Sequence, residues 1–349
     1  MSTSNNSIQA ASASTTAGQA PLRIAVAGAG AIGCSLAAML AHGGVSVSLL
    51  ARGATLEAVR ADGVRLERGD AQETIQARVA ASDNAQELGV QDAVLVCTKA
   101  QDLAGIAPLL APLIGPETCI IPMVNGVPWW YFQRLSGRHA GRRVNAVDPD
   151  GKLLQALPSE QVLGAVQFLT AERLAPGVAS STNHMLVVLG ELDHTETPRA
   201  ARLVQALNDA GIESRLSPGI RDPLWVKIIA NLTSNPLSVI SGATLDTLYG
   251  DPRLLPIVRK VMNECLALAA SYGARIDFDP PSFIEQAQGM GPVRTSMLQD
   301  ALAGRRLELA AIGDAVLELA QLQGIPMPVT HDILALAHFR DEAGRALRA

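Results

Sequence analysis

The sequence predicts an α/β chain of two domains, a doubly wound parallel sheet followed by an all-helical domain. Three observations carry this. An apolar run, a glycine-punctuated turn, a helix-forming stretch and a second apolar run follow one another between residues 22 and 50. Apolar runs of strand length recur as far as residue 189, and after Ser217 only long helical periods remain.

Residues 1–20 are rich in Ser, Thr, Asn and Ala, with neither Lys nor Arg and no apolar core, so they read as a disordered tail and not as a secretory signal. Residues 22–27 form the first strand, broken by Gly28. Residues 31–41 form a helix stopped by His42-Gly43-Gly44, and 45–50 alternate Val and Leu with Ser as a strand does. This is a βαβ unit, whose parallel strands require a buried sheet. Further strands are expected at 75–79, 93–98 and 118–124, with 102–113 as the helical crossover between the last two. Added strands follow at 162–170 and 184–189. Ser217-Pro218-Gly219 supplies a turn, which places a dinucleotide-binding domain at 21–217 and a helical domain at 218–349. Helical periods there cover 223–240, 254–272, 281–289 and 296–323.

The 349 residues suit two domains at about 100–200 residues each. Lys plus Arg total 28 against 33 Asp plus Glu, a net charge of −5, which argues against nucleic acid or an anionic membrane as partner. Aromatic residues at 3% argue against base stacking. The uncharged run 228–245, near membrane length, contains Asn231, Ser234, Asn235, Pro236 and Ser238, a poor membrane span. Cys34, Cys97, Cys119 and Cys265 are far apart with no C-x-x-C, so reduced thiols, no metal site and a cytoplasmic location are expected. Oligomeric state is left open, a homodimer included.

Gly28-Ala29-Gly30-Ala31-Ile32-Gly33 fits G-x-G-x-x-G directly after a strand and at the start of a helix. There Gly28 makes the tight turn, Gly30 admits a pyrophosphate to the backbone, and Gly33 allows close helix packing. This is the Rossmann-type signature of a dinucleotide. At the end of the second strand, where NAD binders place an acid, stands Leu50-Ala51-Arg52, with no acid before Glu57. A guanidinium grips a 2′-phosphate and an acid repels it, so NADPH is the expected cofactor. Lys99 after the fourth strand adds positive charge at the same carboxyl edge. Asn125-Gly126 past the fifth strand is either a plain turn or a contact to nicotinamide ribose or substrate. Trp129-Trp130-Tyr131-Phe132 reads as core or interface, or as a wall of a substrate pocket.

At 100° per residue, Lys227, Asn231 and Asn235 fall within about 80° of one another on a helix otherwise carrying Trp225, Ile228, Ile229, Leu232 and Leu237. A lysine there faces a cavity or needs a partner. Pro236 should end or kink that helix beside Asn235. Ser296 with Gln299 matches a capping box, the competitor to a substrate contact. Glu308 falls on the apolar stripe of Ile312, Ala315 and Leu319, where a carboxylate needs a donor: either a structural Arg or Lys, or substrate or cofactor.

With these residues in view, the sequence resembles the ketopantoate reductases from about 22 to 328. The likeness rests on the glycine loop, Lys99-Ala100, Asn125-Gly126, Leu224-Trp225-x-Lys227-x3-Asn231-x3-Asn235-Pro236-Leu237, Ser296-Met297-Leu298-Gln299-Asp300 and Glu308. The resemblance implies a helical domain like that of 6-phosphogluconate dehydrogenase and an active site between the domains. By the same resemblance Lys227 is the general acid and Glu308 completes the catalytic pocket. Asn125, Asn231 and Asn235 hold the substrate, Ser296 holds its carboxylate, and Arg52 and Lys99 grip NADPH. The activity implied is reduction of the 2-oxo group of 2-dehydropantoate. Asp102 and the Trp129-Trp130 pair depart from many relatives, which keeps open another 2-oxo or 2-hydroxy acid as substrate. A third reading is an NADPH sensor without chemistry, for which an inward lysine has no use.

Overall fold

The computed structural model describes residues 21–69 and 71–346; the expected N-terminal tail lies outside the described residues. The first part runs β1 (Arg23–Ala27), α1 (Ala31–His42), β2 (Ser46–Leu50), α2 (Gly53–Asp62), β3 (Val64–Arg68), β4 (Glu73–Ala77), β5 (Ala80–Ser82), α3 (Ala85–Leu88), β6 (Gln91–Val96), α4 (Leu103–Ile106), β7 (Ile114–Pro122) and α5 (Lys152–Ala156). It continues with β8 (Leu163–Phe168), β9 (Ala171–Ala175), β10 (Val178–Ser181), β11 (Leu186–Glu191), α6 (Pro198–Asp209) and β12 (Glu213–Leu216). Helices then follow without a strand among the described residues: α7 (Arg221–Ser241), α8 (Leu245–Gly250), α9 (Leu255–Ser271), α10 (Pro280–Gly289), α11 (Ser296–Leu302), α12 (Ala315–Gln323) and α13 (Pro328–Ala346).

The central sheet has the order β5-β2-β1-β6-β7, every pair parallel. Its register sets Ala27 beside both Leu50 and Val96, and Val96 beside Pro122, so the carboxyl ends of four strands form one row. The chain therefore delivers Gly28, Arg52, Lys99 and Asn125 to a single edge. That edge includes the reversal of strand order at β1, the crevice where open α/β sheets bind ligands. Both faces of the sheet are buried. Ile24 and Val26 join one apolar core with Leu36 and Leu49, while Ala25 and Ala27 join another with Val94 and Val96. The second core continues through Trp129 and Tyr131 into Trp225, Ile229 and Val258 of the helical part, so the two halves share one interior.

The helix α7 is anchored by Trp225, Ile228, Ile229 and Leu232, all nearly inaccessible. Each such side chain stabilises by about 1.5–3 kcal/mol. Arg221 opens this helix from within the core. Its guanidinium donates to the carbonyls of Tyr131 (2.8 Å), Leu192 (2.7 Å) and Gln133 (2.9 Å), and lies 5.7 Å from the Trp130 ring centroid. Burial pushes its pKa down to about 10.

Several local expectations are corrected. The segment near 75–79 is a strand, but β4 pairs antiparallel with β3 in a separate sheet of order β4-β3-β10-β9 that packs on α1; β5 takes the place beside β2. The crossover at 102–113 is one short α-helical turn followed by a 3₁₀ stretch, Ala107–Leu113, because Pro108 and Pro112 remove amide donors. Helix α7 continues through Pro236 to Ser241 instead of ending there. Buried on most sides, it runs on past the proline, and the Asn235 side-chain amide donates to the Asn231 carbonyl (3.1 Å). The stretch 296–323 is also not one helix: it breaks at Gly304, whose φ of +68° is left-handed, and resumes through a π turn, Ala310–Asp314.

Candidate active site

A cleft of ≈ 1290 Å³ runs between the sheet edge and the helical part. It is bordered by Gly28, Ala29, Gly30, Ala31, Ile32, Arg52, Lys99, Asn125, Lys227, Asn231, Asn235, Ser296 and Glu308, so residues 280 positions apart in sequence meet in one space. Of the candidate catalytic, substrate and cofactor residues, Gly33 alone stands off the cleft, and its neighbourhood explains it: a Cβ there would lie 1.9 Å from the Gly28 carbonyl oxygen. Gly28 has φ +108° and a Cβ would meet Thr98 at 2.9 Å, whereas a Cβ on Gly30 would meet nothing within 4 Å. Gly30 thus faces open space, at the start of a helix with no side-chain cap, and the first amides of α1 point where a pyrophosphate would lie.

At the other wall Lys227 is half-buried, with its Nζ 5.3 Å from the Phe168 ring centroid and no hydrogen-bond partner among the described residues. Burial pushes its pKa down to about 8. One turn on, the Asn231 Nδ2 is buried and unpartnered. Asn235 is less free: its amide donates to Asn231, and its carbonyl accepts from the Met297 backbone N–H at 3.3 Å. Three further buried polar atoms on the cleft wall lack partners, Thr98 Oγ1, Gln101 Oε1 and Gln167 Oε1. Buried polar groups are normally satisfied; of the nine such unpartnered atoms among the described residues, four belong to residues that border the cleft.

The two readings of Glu308 and Lys99 resolve together. The Lys99 amine donates to Asp300 (2.7 Å) and to Glu308 (3.4 Å), and the Ala100 N–H donates to the other Glu308 oxygen (3.0 Å). Arg305 also donates to Asp300. Burial pulls the Lys99 pKa down, but Glu308 and Asp300 outweigh it and hold it above the usual value. Glu308 therefore has its donor, and Lys99 ties the sheet edge to the helical part while bordering the cleft. The helix break at Gly304 is what frees Glu308 to reach this position. Asn125-Gly126 docks on the π turn: Gly126 has φ +82°, a Cβ there would lie 2.3 Å from the Ala311 carbonyl oxygen, and Val127 N–H donates to that oxygen at 2.8 Å.

One sequence expectation changes at this site and another narrows to one of its alternatives. The cap of α11 is Thr295, whose hydroxyl accepts from Leu298 N–H (3.1 Å), which leaves the Ser296 side chain exposed to the cleft instead of capping the helix. The Trp129-Trp130-Tyr131-Phe132 cluster is core, each residue 1% exposed, and it does not border the cleft. Thr98, Gln101, Gln167, Phe168 and Arg173 border the cleft without having been singled out. Thr98 had a signal, its place beside Lys99 at a strand end. The other four had none, because their strands or turns carry no motif.

The model of the family described as ketopantoate reductase PanE/ApbA matches residues 24–129, and that of its C-terminal part matches 219–341. This chain belongs to the ketopantoate reductase family. Among its relatives, a 2-dehydropantoate 2-reductase from Mesorhizobium japonicum is 39% identical over 90% of this chain and 96% of its own length. The crystal structure of a provisionally assigned ketopantoate reductase from Ralstonia solanacearum MolK2 is similar with a TM-score of 0.87 and 37% identity, covering 94% of this chain and 99% of that one. D-mandelate dehydrogenase, solved with NADH and anilino(oxo)acetate, shares the fold at a TM-score of 0.77 and 21% identity, covering 93% and 99%. No helix among the described residues is long and apolar enough to cross a membrane.

Proposed function

We propose that this family member reduces the 2-oxo group of 2-dehydropantoate to the alcohol with NADPH. One observation carries the reading: an unpartnered, desolvated lysine amine and an unpartnered asparagine amide stand one helical turn apart in the cleft that begins at the glycine loop. The residues present fit a dinucleotide, since Gly30 opens onto free space and the start of α1 is uncapped. When bound, NADPH supplies the hydride that C2 of the oxo acid accepts.

The chain's own groups do the rest. Lys227 as an ammonium points its charge at the ketone oxygen, stabilises the negative charge that develops there, and gives it a proton. The Asn231 amide donates a hydrogen bond to the substrate, and the Ser296 hydroxyl donates to its carboxylate. Glu308 and Lys99 hold the two walls at their working separation. Arg52 supports NADPH over NADH: it borders the cleft just past β2, with no ion-pair partner among the described residues. The Trp129-Trp130 loop no longer argues for a different substrate, because it lies in the core.

The test is NADPH oxidation by the purified protein against 2-dehydropantoate, a short unbranched, a branched and an aromatic 2-oxo acid. The expected result is the highest kcat/KM with 2-dehydropantoate. A preference for the aromatic acid would reassign the substrate. Tight NADPH binding without turnover on any member would leave a sensor.

A further inference from the structure

At the adenosine end of the cleft a second arginine comes from an element that is not part of the central sheet. In β9 the alternate residues Ala171 and Arg173 border the cleft, while Glu172 between them does not. The Arg173 guanidinium donates to the Thr55 hydroxyl at 3.4 Å and has no ion-pair partner among the described residues. Arg134, Arg199, Arg215 and Arg253, by contrast, all hold carboxylates. Thr55 is the third residue of α2, and Arg52 is its N-cap, without a side-chain cap bond. Residues three apart on a helix are neighbours. The contact to Thr55 therefore holds Arg173 over the same turn that Arg52 opens, at the strand end where the adenosine ribose of a dinucleotide sits. Asp83 and Asp102 border the cleft as well, and neither is ion-paired with Arg52 or Arg173.

We propose that Arg173 is the second guanidinium of a two-arginine clamp on the 2′-phosphate of NADPH, supplied by the four-stranded sheet and held in place by Thr55. This rests on the NADPH reading above. A phosphate monoester presents three oxygens, enough for paired N–H bonds from Arg52 on one side and Arg173 on the other, with the Thr55 hydroxyl between them. The four-stranded sheet then has a role beyond covering α1: it closes the cofactor end from above.

The experiment is calorimetric titration of the intact protein with 2′,5′-ADP and with 5′-AMP, which differ by the phosphate in question, alongside NADPH and NADH kinetics. The wild type, Arg173→Gln, Arg173→Lys and Arg52→Gln are compared. Arg173→Gln is expected to weaken 2′,5′-ADP by about 10–100-fold, to leave 5′-AMP within about twofold, and to lower the NADPH-over-NADH ratio of kcat/KM in parallel. Arg173→Lys should recover part of the loss, since the point charge remains and the fork does not. Arg52→Gln should show the same selective loss. Equal weakening of 2′,5′-ADP and 5′-AMP would place Arg173 on the 5′-phosphate or in a purely structural role, and would overturn the proposal. A wild-type preference for 2′,5′-ADP that survives Arg173→Gln but not Arg52→Gln would overturn it while keeping the NADPH reading. A wild type with no such preference would overturn both.

Discussion

Replacing Lys227 with alanine is expected to lower kcat with 2-dehydropantoate by about 10²–10⁴-fold, the usual contribution of a positioned proton donor. NADPH affinity should hold, because the glycine loop and Arg52 are untouched. The size of the effect follows from the surroundings of the amine: burial pushes it down to about 8, and no carboxylate among the described residues shares its charge. The sign of the pH dependence follows too. The ammonium is the active form, so kcat/KM should be level below about pH 8 and fall as the pH rises through that value. The guanidinium that Lys227→Arg introduces stays protonated throughout, so the alkaline limb should move out of range even if the rate is low. Steady-state profiles with 2-dehydropantoate decide the matter. An alanine variant with wild-type kcat, or a wild-type profile that stays flat well above the pKa of the buried amine, would take Lys227 out of the chemistry.

The largest effect on stability is expected at Arg221. Changing it to methionine keeps the apolar stem and removes three donors at once, leaving the carbonyls of Tyr131, Leu192 and Gln133 without the partners described above. Buried acceptors stranded in this way cost about 1–3 kcal/mol each. A loss of at least about 3 kcal/mol is expected, which for 349 residues at about 2.1 cal/mol/K each is a drop of roughly 4 °C or more in Tm. Differential scanning calorimetry measures it directly. An Arg221→Met protein that melts with the wild type would show that these carbonyls find other donors.

How far the sequence reaches is seen best in α7. The stripe Lys227, Asn231, Asn235 follows from helical spacing, and the structure sets all three along the cleft. The same spacing could not show that Asn235 is occupied by the Met297 backbone, because that partner is 62 positions away. Lys99 is similar. Its place at a strand end was legible, but its ion pairs with Asp300 and Glu308 depend on how the two halves dock. The strands β3, β9, β10 and β12 were missed for a different reason. They are four or five residues long, too short for a period to be counted with assurance, and β9 is largely exposed. Arg221 gave no signal at all, since a buried arginine satisfied by three carbonyls looks in sequence like any helix-opening cation.

The position of Arg221 also bears on how the cleft would open. The carbonyls it holds belong to the sheet half, and it sits at the first residue of the rod that bears the amine, so this end of the rod is pinned to the sheet half. Lys227 is only six residues along, about 9 Å at the rise of a helix, whereas Asn235 is about 21 Å away. A swing of given angle would displace the far wall more than twice as much as the amine. The doorway would widen most at the end bearing Asn235 and Ser296, while the proton donor moved less than half as far.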